Sequence, residues 1–194
     1  LLKDHASRHD HDYYYAVRSQ HNLDLTEKIE VAARFLYLNR TCYNGLYRVN
    51  RKGEFNVPMG KYKNPDIAQE ANIRLCHKAL QSVELGLHEF KKINHQRGGF
   101  VYFDPPYHPI NGTSFTNYTK LDFTEKDQTI LRDFAIDLHK QGVKVMLSNS
   151  NSNFIKEIYD QKPFTIRTIH APRLINCKPN ERNNVKEFLI TTYG

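Results

Sequence analysis

A chain of 194 residues holds one mid-sized domain, or a core with a small appended module, with enough interior to need no disulfide staples. Its 28 Lys and Arg outnumber 21 Asp and Glu, and the net charge of +7 suits a polyanionic partner without demanding one. No apolar run approaches the roughly 20 residues of a membrane helix, and the opening LLKDHASRHD has no signal-peptide core, so a membrane partner is excluded and a cytoplasmic protein expected. Cys42, Cys76 and Cys177 lie far apart with no CxxC pair, which argues against a zinc or redox centre and for reduced, structural thiols.

Residues 1–22 carry His5, His9, His11 and His21 together with the run Tyr13, Tyr14, Tyr15. His5 and His9 would share one face of a helix, but no carboxylate or cysteine partner stands at ligand spacing, so no metal site is expected. After LDLTEKIE, the segment VAARFLYLN predicts a buried helix with Ile29, Ala32, Ala33, Leu36 and Tyr37 on its inner face.

That helix leads into the most basic tract, residues 40–65. Arg40, Arg48, Arg51, Lys52, Lys61 and Lys63 meet a single acid, Glu54, with Tyr43, Tyr47, Phe55 and Tyr62 interleaved. Cations neutralise phosphates, aromatic rings wedge or stack against bases, and Asn or Arg reads base edges, so the mixture suits DNA. Asn44-Gly45 and Arg51-Lys52-Gly53 are turn tips, which predicts a loop and hairpin rather than a helix. By composition alone, a solvated charged hairpin is an equal alternative.

A helix is expected over residues 67–81, then a short strand in which Val83, Leu85 and Leu87 alternate. Phe100, Val101, Tyr102 and Phe103 form a nearly continuous apolar run, the pattern of a parallel strand covered on both faces. Thr124 and Asp127 form a capping box ahead of a helix whose stripe is Leu131, Phe134, Ala135 and Leu138, with Gly142 to end it. VKVMLSNS is the next strand, with Ser148, Asn149 and Ser150 at its carboxyl end, followed by a short helix near residues 153–159. FTIRTIHAP and VKEFLITTYG close the chain as two strands joined by a polar loop. The sum is half of a doubly wound α/β sheet ending in an antiparallel pair.

Ligands of open α/β sheets sit outside the carboxyl ends of parallel strands, where residues 104–107 read Asp-Pro-Pro-Tyr. An exocyclic amine on adenine or cytosine is a poor nucleophile because its lone pair is delocalised into the ring. Acceptors for both of its N–H groups favour a pyramidal nitrogen whose lone pair points at an electrophile. Asp104 supplies one acceptor and the Pro105 carbonyl the other, held still because Pro105 and Pro106 fix φ. Tyr107 offers a ring for the target base to stack on, a contact worth about 1 to 3 kcal/mol, once the base has been flipped out of the duplex. A carboxylate is too weak a base to deprotonate the amine before bond formation, so Asp104 is read as an acceptor. A rigid turn is the plain alternative, and the position at a strand end within a βα series favours chemistry.

With these segments in place the sequence resembles the Dam-type DNA adenine-N6 methyltransferases, which include the GATC-modifying enzymes of restriction systems. The likeness rests on FLYLNRTCYNGLYRVNRKGEFNVPMGKYKNP, FVYFDPPYHP, SFTNYT and the closing RLIN segment, and spans essentially the whole chain. It implies a partial class I, Rossmann-like α/β methyltransferase sheet with an antiparallel C-terminal pair, plus a helical target-recognition domain with a β-hairpin. Residues 1–68 would be the DNA-binding domain and residues 69–194 the catalytic core. The activity implied is transfer of a methyl group from S-adenosyl-L-methionine to adenine N6 in duplex DNA, within GATC, by base flipping.

Carried over residue by residue, the resemblance places Tyr43 and Asn44 in the duplex beside the flipped adenine and makes Arg48 the reader of guanine. Leu46, Pro58 and Tyr62 match base-contacting positions, and Arg40 and Lys61 match phosphate or base-edge contacts. Asp104, Pro105, Pro106 and Tyr107 match the catalytic loop, Asp104 and His88 the cofactor surface, and Phe115 and Tyr118 the segment that closes over the target. Double-stranded DNA is the implied partner of a monomeric enzyme, with a restriction endonuclease as the candidate protein partner.

One departure stands out. Such enzymes hold the cofactor on a glycine-rich strand end followed by an acidic residue, and none of the nine glycines forms that pattern after a strand. The expectation is that the pattern lies upstream of Leu1 and that the first strands of the sheet are missing. Two alternatives follow: a non-catalytic remnant that binds GATC-like DNA, and an RNA or protein amino-methylating enzyme, disfavoured by Asp104 and the long basic hairpin.

Overall fold

The computed structural model describes residues 1–23, 26–110, 123–172 and 184–194. They form two compact units, Leu1–Gly86 and the described residues between Leu87 and Gly194.

The first unit opens with helices α1 (Leu2–Ser7), α2 (His11–Leu23) and α3 (Lys28–Thr41). Tyr14, Val17 and His21 recur at helical spacing and form the buried stripe of α2. The inner face of α3 is Ala33, Arg34, Tyr37, Leu38 and Thr41, so the expected face is rotated. Ile29 is 77% and Leu36 38% exposed, because Tyr37 packs into the ring cluster of Tyr13 and Tyr14 and that contact sets the roll of the helix. His5 lies within α1 and His9 beyond its end, so they do not share a helix. Each instead bonds a tyrosine hydroxyl: His5 Nδ1 to Tyr13 at 2.8 Å and His9 Nδ1 to Tyr37 at 2.9 Å.

After α3 the chain makes a tight turn at Tyr43–Gly45, where Asn44 (φ 53) and Gly45 (φ 61) both adopt the left-handed region. It then runs out and back as an arch. Cys42 pairs with Met59 near the base and Val49 with Phe55 near the tip, which turns at Gly53 (φ 85). Helix α2 holds the returning limb. Asn22 donates to the Phe55 carbonyl at 3.0 Å and accepts from the Phe55 amide at 2.8 Å, while Tyr14 and Arg18 both donate to the Val57 carbonyl.

Helix α4 (Glu70–Leu80) begins three residues later than expected and buries no side chain among the described residues. Hydrogen bonds from Lys3, then Arg74, pull the exposed Glu70 carboxyl down to about 2. The expected strand at 83–87 is not formed: Val83, Leu85 and Leu87 are 48%, 73% and 101% exposed. Alternation over five residues makes a strand only when a partner supplies the ladder, and none of the described residues does.

The second unit is a four-stranded sheet of order β1-β2-β4-β3, with β1 Phe100–Phe103, β2 Lys144–Ser150, β3 Thr165–Pro172 and β4 Asn184–Thr191. Strands β1 and β2 are parallel, joined through helix α5 (Glu125–Lys140), as a parallel pair requires. Strand β4 runs antiparallel between β2 and β3. This is a mixed α/β sheet of partial Rossmann-like methyltransferase type. The capping box forms as expected, and Gly142 (φ 80) ends α5 in a Schellman arrangement, with Val143 donating to Leu138 and Gly142 to His139.

Leu131, Ala135 and Leu138 of α5 and Ile155 and Tyr159 of α6 (Asn153–Tyr159) pack with Val145, Leu147 and Ile190 of the sheet. Each large aliphatic side chain so buried stabilises the unit by about 1.5 to 3 kcal/mol. Strand β1 is not covered on both faces among the described residues. Phe103 is buried, but Phe100 and Tyr102 are 56% and 51% exposed, because α5 and α6 pack into the core on the Phe103 side.

Candidate active site and DNA interface

The parallel register pairs Phe103 with Leu147, so the chain leaves β1 at Asp104 beside Ser148, the next residue of β2. Ser148 donates its hydroxyl to Asp104 Oδ1 at 3.0 Å. With that proton committed, the Tyr102 hydroxyl, 2.8 Å from Ser148 Oγ, is the donor to Ser148. Asp104 is exposed, and its Oδ2 has no partner among the described residues.

Beyond Asp104 the loop is held by its backbone. Gln128, fully buried on α5, donates to the Pro106 carbonyl at 2.8 Å and accepts from Asn149 Nδ2 at 3.0 Å. Asn149 Oδ1 accepts the His108 amide at 3.0 Å, and Ser150 donates to the His108 carbonyl at 2.6 Å. The Pro105 carbonyl is left without a protein partner among the described residues. The His108 ring stacks on Phe154 with centroids 4.8 Å apart and faces the Glu125 carboxylate at 3.1 Å.

Tyr107 is partly buried, and its hydroxyl makes a long 3.4 Å bond to Glu187 of β4. Burial, reinforced by the nearby Glu187 and Asp104 carboxylates, pushes this phenol up to about 12, against a lowering contribution from Ser148. It therefore stays protonated at neutral pH and presents a neutral ring.

Polar side chains at a strand end, two adjacent acceptors and an aromatic ring together can orient an amine. The cofactor side is thinner. His88 is exposed in an irregular segment, and neither β1 nor β2 leads into a glycine-rich turn. Phe115 and Tyr118 lie outside the described residues.

The expected DNA-contacting residues fall along the arch of the first unit. At its base Tyr43 donates its amide to the Pro58 carbonyl at 2.8 Å and Gly60 donates to Thr41 at 2.8 Å, which brings Tyr43, Asn44 and Pro58 together and starts Lys61 and Tyr62 from the same end. Arg40, in the last turn of α3, and Lys61 are exposed; Tyr43 and Tyr62 are 42% and 44% exposed. A side chain at Gly60 would collide with the Tyr62 ring and sit 2.8 Å from the Cys42 carbonyl, so glycine lets that ring lie across the backbone. Leu46 is half-buried, and its carbonyl accepts the Cys42 thiol at 3.3 Å. Burial pushes that thiol up to about 11, so Cys42 is an inert structural thiol, whereas Cys76 is exposed and Cys177 lies outside the described residues. Arg48 lies farther along the arch. Its Nε donates to Asn56 Oδ1 at 2.8 Å across the hairpin, which fixes the plane of the guanidinium.

Sequence reading missed Gln128, His108, Glu187 and the Asn22 brace. Gln128 carried a signal: it stands three residues before Leu131 on the buried stripe of α5, where a polar residue must have a partner. Asn22 carried none, since its partner is 33 residues away.

Residues 1–175 match the family model of the D12 class N6 adenine-specific DNA methyltransferases. The chain is similar to the type II methyltransferase M.MjaIII of Methanocaldococcus jannaschii, with 47% identity over 94% of this chain and 65% of the relative. It is similar also to the type II methyltransferase M1.LlaDCHI of Lactococcus lactis subsp. cremoris, with 42% identity over 100% of this chain and 70% of the relative. A DNA adenine methylase of Haemophilus influenzae is 38% identical over 94% of the chain and 64% of its own length. The chain thus spans about two thirds of the length of these relatives. The family match over most of the chain, together with the loop geometry at the end of β1, makes this chain a member of the D12 class of N6 adenine-specific DNA methyltransferases.

Proposed function

We propose that the polypeptide carrying this chain methylates adenine N6 in duplex DNA, within GATC, as the methylase of a type II restriction system. Residues 1–68 serve as the DNA-binding part and residues 69–194 as the catalytic part. The observation that carries this reading is the acceptor pair at the end of β1: an exposed Asp104 with Oδ2 unengaged, and a Pro105 carbonyl without a protein partner among the described residues.

The flipped adenine stacks on Tyr107 and donates its two N6 hydrogens to Asp104 Oδ2 and the Pro105 carbonyl. Both acceptors are set before the base arrives, so little reorganisation remains to be made in the transition state. The N6 lone pair forms the new N–C bond, and the excess proton then leaves N6 with the Asp104 carboxylate as first acceptor. S-adenosyl-L-methionine is the proposed donor: when bound it would supply an electrophilic methyl group whose bond to sulfur breaks as the N–C bond forms, the electron pair staying on the departing thioether. Asp104 and His88 are the described residues assigned to its side of the site, and the described strand ends provide no glycine-lined floor for its nucleoside.

In the DNA-binding part, Tyr43 and Asn44 fill the gap left by the adenine and Arg48 reads guanine. Leu46, Pro58 and Tyr62 touch bases, and Arg40 and Lys61 touch phosphates or base edges. The test is transfer of labelled methyl groups from S-adenosyl-L-methionine by the complete polypeptide to duplexes that contain GATC, GATC with its guanine replaced, or no such site. Label confined to adenine N6 of the first duplex is expected; label on cytosine, or equal labelling of all three duplexes, would sink the reading.

A further inference from the structure

Two prolyl carbonyls stand side by side in the catalytic loop, and they are chemically equivalent as acceptors. Only one of them is engaged among the described residues: Gln128 Nε2 donates to the Pro106 carbonyl at 2.8 Å. Gln128 is fully buried on the apolar stripe of α5, so its amide has no water to fall back on and must satisfy both ends internally. Its other end accepts from Asn149 Nδ2 at 3.0 Å. That bond sets the amide: the oxygen faces Asn149, so the nitrogen faces Pro106. Asn149, also fully buried, is set in turn by the amides of His108 (3.0 Å) and Ser150 (2.9 Å), both of which donate to its Oδ1. The orientation of Gln128 therefore follows from backbone N–H groups that cannot change role.

We infer that Gln128, oriented by Asn149, is a positioning residue that engages the Pro106 carbonyl and leaves the Pro105 carbonyl to the adenine amine. This rests on the proposed adenine-N6 reaction. The two amide side chains touch no reacting atom. They act by tying the loop down at Pro106 and His108, on either side of Tyr107, which fixes the distance between Asp104 Oδ2 and the Pro105 oxygen. Without the tie the Pro106 carbonyl, on an exposed residue, is left to solvent and is no longer anchored to α5. The loop can then shift, and a misplacement of about 1 Å at the acceptors costs on the order of 100-fold in rate.

The experiment compares the complete wild-type polypeptide with Gln128→Met, which keeps volume and removes both hydrogen bonds, and with Asn149→Asp. The second variant retains the oxygen that serves His108 and Ser150 but replaces the donor to Gln128 with a carboxylate oxygen. The Gln128 amide then turns its nitrogen to the carboxylate and its oxygen to Pro106, which releases the tie while Gln128 itself is untouched. Single-turnover methyl transfer, DNA dissociation constant, target-base fluorescence with 2-aminopurine and thermal melting are read on each. Expected is a fall in the transfer rate of about 10- to 100-fold in both variants, with DNA affinity and the fluorescence rise on flipping unchanged. Wild-type rates in either folded variant would overturn the inference, and so would a rate loss matched by equal losses of DNA affinity and flipping, the mark of a general structural defect. If Gln128→Met does not fold, Asn149→Asp carries the test. A wild-type polypeptide that transfers no methyl group to adenine overturns the proposed function instead.

Discussion

The loop after β1 and the arch after α3 are both irregular segments held by hydrogen bonds from a neighbouring helix, yet they are held for opposite ends. In the loop, buried side chains of α5 and β2 grip the backbone of Pro106 and His108, and the Pro105 carbonyl is left without a protein partner among the described residues. In the arch, Asn22, Tyr14 and Arg18 of α2 grip the backbone at Phe55 and Val57, and the exposed side chains are those of Tyr43, Lys61 and Tyr62, with Arg40 at the end of α3 beside its base. A site that orients an amine needs atoms fixed to a fraction of an ångström, which side chains locked by packing and backbone can supply. A surface that meets a duplex needs reach and charge, which long exposed side chains supply.

The contrast breaks most sharply at Asp104. On the proposed reaction Asp104→Ala removes an acceptor made for the transition state, so turnover should drop by at least about two orders of magnitude while DNA affinity is kept. Near-normal turnover at saturating cofactor would remove the loop from the chemistry. The arch should answer in the other sense. Asn22→Ala strips both hydrogen bonds from the Phe55 backbone, a buried residue, at a cost of about 1 to 3 kcal/mol for each group left unsatisfied. Denaturant unfolding should report the loss, DNA affinity should weaken, and the rate at saturating DNA should stand. A change in that rate would mean the two regions are not separable.

A smaller effect sharpens the recognition side. On the proposed reading of guanine by Arg48, Arg48→Ala should narrow the affinity gap between GATC and a site altered at its guanine by about 1 to 3 kcal/mol, the worth of a bidentate contact to O6 and N7. Lys63→Ala should weaken both sites alike and reduce the salt slope by about one unit. Titrations at two salt concentrations separate these, and an unchanged preference in Arg48→Ala would place guanine reading elsewhere on the arch.

The smallest expected effect is on pH. Burial lowers the imidazoles of His5, His9 and His21 from 6.5, opposed in part by Asp4 beside His5 and Asp10 beside His9. The folded first unit thus prefers neutral histidine, so its stability is complete above the unfolded value of about 6.5 and declines as pH falls below it. Protection of the amides in α1 to α3, taken relative to the intrinsic exchange rate at each pH, should fall between pH 7 and pH 5 in the intact chain; equal protection at both would mean these rings are not sensed by folding.

What could be read from sequence was what neighbours in the chain decide among themselves. The capping box at Thr124 and Asp127, the Gly142 stop and the hairpin tip at Gly53 are all settled within a few residues, by φ preferences and by hydrogen bonds that close short rings. Strand β2, helix α6 and the antiparallel pair of β3 and β4 were likewise legible, because each carries its own periodicity over enough residues. Partners distant in sequence decided the rest. The alternation at 83–87 could not make a strand without a ladder, and α3 turned to suit Tyr14 and Tyr37 rather than its own apolar count. The acceptors of the candidate site belong to the first group, since Asp104 and Pro105 are adjacent. Their poise belongs to the second, since a buried amide such as Gln128 has a role only once the fold has placed Pro106 at one end of it and Asn149 at the other.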